Sequence, residues 1–220
     1  MSKIATRVFG QQAGFIGQGI GRSIGRSIGR SIDRNKDRNK DWKIEWARQA
    51  AIVISASFFV ALCARVTVPL PFTPVPLTLQ NFGVLTVGLL LGSRRGFAAL
   101  ALYLAEGAVG LPVFSLGGGI AYLLGPTGGF LLAYPLVAFV AGNIFERSSE
   151  RSSRRFAWAA LSSMAAELVL FAGGLSWLAV LTHSVSLAIR FGLYWFVFAE
   201  VIKVLLASSL AARWHQHRSA

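Results

Sequence analysis

The chain has 220 residues, 54% of them hydrophobic and 14% charged, with 22 Lys+Arg against 9 Asp+Glu and a formal net charge of +13. Soluble domains carry about 25% charged residues, so this composition, with a mean hydropathy of +0.57, argues against a water-soluble globule and for a membrane protein. One cysteine and three scattered histidines exclude an internal disulfide and leave too few ligands for a Cys/His metal cage, so no metal is expected.

Residues 1–45 read as a basic arm. Residues 1–48 hold 11 of the 22 basic and 4 of the 9 acidic side chains. The arm repeats Gly-Arg-Ser-Ile three times over 21–32, then Asp-Arg-Asn-Lys twice over 33–40. Glycine at every fourth position costs a helix about 1 kcal/mol each relative to alanine, so a solvated, disordered tail is expected. Contact with anionic membrane lipid, at about 1 kcal/mol per basic residue near the headgroups, is the competing role. No folded nucleic-acid module accompanies the charge, and no nucleic-acid partner is expected. The arm is too long, charged and glycine-rich for a secretory signal. Trp42, Lys43, Trp46 and Arg48 form an aromatic and basic belt at its end.

A membrane-spanning helix needs about 20 predominantly apolar residues. Six apolar runs follow the arm, at about 47–66, 77–92, 96–110, 128–145, 156–181 and 187–212. Four prolines, Pro69, Pro71, Pro74 and Pro76, keep the segment between the first two out of a helix. The expected fold is an all-α membrane protein with a six-helix domain over 46–212 and a short tail over 213–220. The connections alternate in charge. The arm, Arg94-Arg95, the stretch 146–155 and the tail are basic, whereas 67–76 and 111–127 carry no charge. Basic loops face the cytoplasm, so both termini are expected there, in a multi-pass protein of the cell membrane. The two long uncharged loops then lie outside. Irregular backbone at membrane depth is tolerated where it lines a cavity, which places a ligand site on the outer face.

The segment Val68-Pro-Leu-Pro-Phe-Thr-Pro-Val-Pro-Leu-Thr-Leu-Gln-Asn-Phe82 resembles the BioY family, the biotin-capturing membrane subunits of energy-coupling-factor vitamin transporters. Gly107-Ala-Val-Gly-Leu-Pro-Val-Phe114 is a second match. A third runs from Gly117-Gly-Gly119 through Leu124-Gly-Pro-Thr-Gly-Gly-Phe130. The similarity covers about 46–212. It implies a six-helix S component that binds biotin from outside. It also implies partnership with a transmembrane coupling subunit and ATPase subunits, although some members occur without dedicated partners. In the last helix the family commonly has a proline-rich segment ending in Gly-Asp, with Lys three residues after the Asp. Here Glu200 stands at the Asp position and Lys203 is kept, while Trp195 and Phe198 replace prolines and Ala199 replaces the glycine. A longer acid on a more regular helix is expected. Capture of another vitamin is the alternative function that this departure keeps open.

Glu200 and Lys203 are three apart and share a helix face, deep in an apolar run where each charge costs a few kcal/mol. Lys203 suits a carboxylate and Glu200 suits ureido N–H groups; a mutual ion pair joining helices is the competing role. Gln80 and Asn81 each offer a donor and an acceptor for a neutral ureido group, or act as caps. Gly117, Gly118, Gly119, Thr127 and Gly128 are candidates for close backbone approach to the ligand, with turn chemistry as the competing role. Tyr122 is a candidate stacking partner. Glu106 and Glu167 also fall within runs and are not assigned to the ligand. Ala47, Ala51 and Ser55, and Ser57 and Ala61, are small residues spaced by four. They allow close helix approach in lipid, and the family uses such a face to dock its coupling subunit. A membrane enzyme would need a nucleophile–base pair or a metal cluster, and after residue 48 there is no Asp and no His inside an apolar run. No enzymatic activity and no cofactor are therefore expected, and no nucleotide-binding motif is present.

Overall fold

The computed structural model describes residues 41–149 and 154–219. The glycine repeats of the arm lie outside the described residues. Eight helices and one two-strand ladder are described. They are α1 (Asp41–Arg65), β1 (Thr67–Val68), β2 (Leu77–Thr78), α2 (Gln80–Leu91), α3 (Ser93–Ala108), α4 (Ile120–Leu123), α5 (Gly128–Ser149), α6 (Arg155–Thr182), α7 (Val185–Gly192) and α8 (Val197–Ser219).

The chain divides at Ala50, and residues 41–50 are described by themselves. They are already helical, so the helix starts before the expected limit of the arm at residue 45. Glu45 accepts from Arg48 at 2.9 Å and from Gln49 at 2.5 Å, pairs at i+3 and i+4 that favour a helical turn. Trp42 and Trp46 meet edge-on with ring centres 5.9 Å apart.

From Ala51 onward, each apolar run becomes helical, but the helices differ in reach. α1, α5 and α6 are long and apolar enough to cross a membrane, and α7 with α8 forms a bent pair that passes the same test. α2 has only 12 residues, about 18 Å at 1.5 Å per residue. The fold is helical, and this chain is a membrane protein with three to four helices of spanning length among the described residues.

α5 is central and packs on α2, α3, α4 and α6, while α8 packs on α2 and α6. Tyr103, Phe114, Phe145, Leu85, Leu89 and Leu100 are fully buried in this core. Gly88 sets the α2–α5 approach. A Cβ there would sit 2.6 Å from the Ala138 carbonyl oxygen, so a larger residue would push the helices apart. β1 and β2 pair antiparallel, Thr67 with Thr78 and Val68 with Leu77, and close the proline-rich loop at its base.

The last run differs from the expected regular helix. It breaks between Gly192 and Val197 and bends by 50° without a proline. Thr73 Oγ1 donates to the Phe191 carbonyl at 2.7 Å, taking the acceptor that the Trp195 N–H would use in a continuous helix. The Tyr194 N–H reaches back to Ile189 O, and Phe196 N–H bonds Leu193 O. The break turns Phe196 inward against Val75, Leu178 and Ala188. The separate tail expected over 213–220 is also not seen, because α8 continues to Ser219. His215 holds it there: its Nε2 lies 3.3 Å from Leu89 O, and its carbonyl accepts from Arg155.

Candidate functional site

The uncharged loops over 67–76 and 111–127, with α2, α5, α6 and α8, enclose a cavity of about 560 Å³, open solvent at its mouth included. Gln80, Asn81, Tyr122, Thr127, Glu200 and Lys203, six of the ten candidate ligand residues, line it together. They come from four separate segments of the chain.

The polar floor is built by three helices. Lys203 Nζ lies 2.6 Å from Glu200 Oε1. Asn81 Nδ2 donates to Glu200 Oε2 at 2.6 Å and to Glu167 Oε1 at 2.6 Å. Asn81 is 3% exposed, Lys203 6%, Glu200 7% and Glu167 8%. Two carboxylates thus share one amide, and one of them, Glu200, also pairs with the ammonium. Glu200 reaches both Lys203 on its own helix and Asn81 on α2. Lys203 has three donors and spends one on Glu200, so two stay available to a ligand. Asn81 Oδ1 and Glu167 Oε2 are buried without a protein partner.

A second polar group stands on the α2–α3 side. Gln80 Nε2 donates to Tyr103 Oη at 2.8 Å, and Tyr103 Oη donates to Val113 O at 2.8 Å. Ser115 Oγ and Tyr122 Oη are 2.8 Å apart, and both face the cavity. The remaining walls are apolar and aromatic, with Phe130, Tyr134, Phe171 and Phe196 prominent. A ligand with an apolar body and polar ends matches this lining.

Four candidates take other places. Gly117, Gly118 and Gly119 do not line the cavity. They turn the loop that delivers Ser115 and Tyr122: Gly117 N–H and C=O pair with Phe114, and Gly119 N–H donates to Gly107 O at 2.7 Å. Gly128 opens α5 beneath Leu123, where a Cβ would overlap the Leu123 carbonyl oxygen. Thus Gly117–Gly119 and Gly128 shape the loop rather than the lining. Tyr122 stacks on Phe114 at 5.3 Å, so one face of its ring is already covered from within the protein. Ser115, Tyr134 and Glu167 escaped sequence reasoning. Ser115 and Tyr134 belong to loop and helix patterns that look like ordinary packing; the acid within the fifth apolar run was the one available signal for Glu167.

On α1, Ala51 and Ser55 are exposed and Ala61 is half-buried. Ala47 is exposed in the preceding segment. Ser57 points inward, is fully buried and donates to Glu106 Oε2 at 2.5 Å. It therefore serves packing of α1 on α3 and lies off the exposed small-residue face.

The BioY family model matches residues 34–220. The chain belongs to the BioY family. Among curated BioY proteins, it is 37% identical over 163 residues to the biotin transporter BioY of Thermotoga maritima, covering 73% of this chain and 94% of that one. It is 36% identical over 169 residues to the probable biotin transporter BioY of Pyrococcus horikoshii, covering 76% and 96%. The fold is similar to the crystal structure of the S-component for biotin from an ECF-type ABC transporter. That match has a TM-score of 0.72 and 24% identity, and covers 78% of this chain and 93% of that one. The family-model match, residues 34–220, includes every segment that lines the cavity.

Proposed function

We propose that this protein captures biotin from outside the cell membrane and serves as the substrate-specific subunit for its import. The observation that carries the reading is the cavity itself. It sets Lys203, with two donors to spare, beside Glu200 and Asn81 on a polar floor, and adds the Gln80 amide from the α2–α3 side under aromatic walls. Biotin has a carboxylate at one end and a ureido ring at the other. Lys203 binds the carboxylate, with Glu200 and Asn81 anchoring that end of the site, and Gln80 on the α2–α3 side serves the ureido group. Tyr122, Ser115 and Thr127 close the outer side. The protein is a binder and carrier, not an enzyme, and biotin is cargo rather than cofactor.

The six apolar runs serve as six membrane segments, with both termini in the cytoplasm of a multi-pass protein of the cell membrane. The uncharged outer loops and the Arg94-Arg95 turn support that orientation. Import draws on a transmembrane coupling subunit and ATPase subunits. The exposed face bearing Ala51 and Ser55, flanked by Ala61, is the docking side.

Equilibrium titration of the purified chain against biotin, thiamine, riboflavin and folate tests the reading. Biotin should bind one-to-one with Kd below about 1 μM, roughly −8.2 kcal/mol, and the others at least about a thousandfold more weakly. Tighter binding of another vitamin would replace biotin with that vitamin.

A further inference from the structure

Tyr103 is fully buried, and its ring packs edge-on against Phe114 at 5.5 Å. Packing alone would be served by phenylalanine. The hydroxyl instead sits between Gln80 Nε2 and Val113 O, 2.8 Å from each. A backbone carbonyl can only accept, so the single Tyr103 proton goes to Val113 O. The phenol oxygen must then accept, and the group facing it must be a donor. This fixes the Gln80 amide with its NH2 toward Tyr103. The reverse orientation would set two acceptor oxygens together with no proton between them. Gln80 Oε1 consequently turns away from Tyr103, and Gln80 lines the cavity.

We propose that Tyr103 is a positioning residue for ligand recognition, which orients the Gln80 amide so that Oε1 is the acceptor for a ligand N–H. The inference rests on the biotin reading and deepens it: the N–H comes from the ureido ring. Tyr103 itself does not line the cavity. The same hydroxyl also holds Val113, two residues before Ser115, so one buried group sets both an α2 side chain and the loop above it.

A double-mutant cycle separates positioning from packing. Biotin affinity is measured for the full chain and for Tyr103→Phe, Gln80→Ala and the double variant. Tyr103→Phe keeps the ring and should weaken biotin by about tenfold, the scale of one hydrogen bond freed to flip. In the Gln80→Ala background the same change should cost less than about twofold. Independent, multiplying losses would overturn the proposal and leave Tyr103 as a support of the loop. A second measurement stands even where Tyr103→Phe does not fold. Of the two biotins methylated at a single ureido nitrogen, one should lose about tenfold against the unaltered chain and nothing against Gln80→Ala. Equal losses on both proteins would overturn the assignment of Oε1 as acceptor. Failure of the unaltered chain to bind biotin would overturn the functional reading and this inference with it, whereas tight binding with a multiplying cycle would remove only the role of Tyr103.

Discussion

Asn81 shows how much one side chain carries in the floor of the cavity. Its two N–H donors satisfy one oxygen on each of Glu167 and Glu200, both at 2.6 Å. Buried polar groups left without partners cost about 1–3 kcal/mol, and more when charged. Asn81→Ala should therefore lower the thermal stability of the ligand-free protein in detergent by at least about 2 kcal/mol. Asn81→Asp should be worse, because it sets a third carboxylate against two with only Lys203 to balance them. Unfolding curves that rank the aspartate variant above the alanine variant would contradict the shared-amide geometry. The sequence made Asn81, Glu200 and Lys203 visible because polar groups in apolar runs are costly and usually functional. It did not reveal that Glu167 completes the group, since nothing in a one-dimensional pattern shows that residues 81, 167 and 200 meet. Tyr103 was hidden for another reason: its helix face reads as plain core, and only the hydrogen-bond geometry distinguishes it from phenylalanine.

At the scale of elements, the proline-rich loop and the six apolar runs were legible, because four prolines within eight residues cannot be accommodated in a helix interior. The bend between α7 and α8 was not. With Trp195 and Phe198 in place of prolines, the local sequence favours continuity. The break comes instead from Thr73, about 120 residues away, which captures the Phe191 carbonyl. Helix reach was equally illegible, since apolar runs mark where a helix is tolerated rather than where its last turn closes. The exposed side of α1 was half legible. Small residues at a spacing of four identified Ala51 and Ser55, but the same rule included Ser57, which the Glu106 hydrogen bond draws inward. A bulky residue on the outer side should separate binding from transport. Ser55→Trp should leave biotin affinity in detergent within about twofold while abolishing ATP-dependent uptake in vesicles reconstituted with the coupling and ATPase subunits. Retained uptake would move the docking side elsewhere on the molecule.

For the whole molecule, the proposed orientation in the membrane rests on where the charge lies. Arg94 and Arg95 are exposed at the α2–α3 turn, and Val109, 80% exposed, lies at the opposite end of α3. In a Cys63→Ala background, Val109→Cys in intact cells should react with a membrane-impermeant thiol reagent, and Arg95→Cys should react only after the membrane is opened. The reverse pattern would invert the topology and put the cavity mouth on the cytoplasmic side. That orientation makes sense of the charge distribution around the cavity. Its mouth is framed by uncharged loops, its walls are aromatic, and its ionic groups are confined to the floor where α2, α6 and α8 converge. An anionic ligand entering from outside meets its cation only at the bottom of the chamber.

The central claim is that Lys203 receives the carboxylate of biotin in this cavity. The measurement that tests it most directly compares Lys203→Met with the unaltered protein for two ligands, biotin and a biotin amide whose carboxylate is masked. Removing one partner of a buried, hydrogen-bonded charge pair costs about 2–5 kcal/mol. Lys203→Met should therefore weaken biotin by roughly thirtyfold to several thousandfold and weaken the amide far less, so that the preference for the free acid collapses. If Lys203 only neutralises Glu200 to join the helix to its neighbours, both ligands should weaken equally, alongside a lower melting temperature without ligand, and the carboxylate would have to be bound elsewhere.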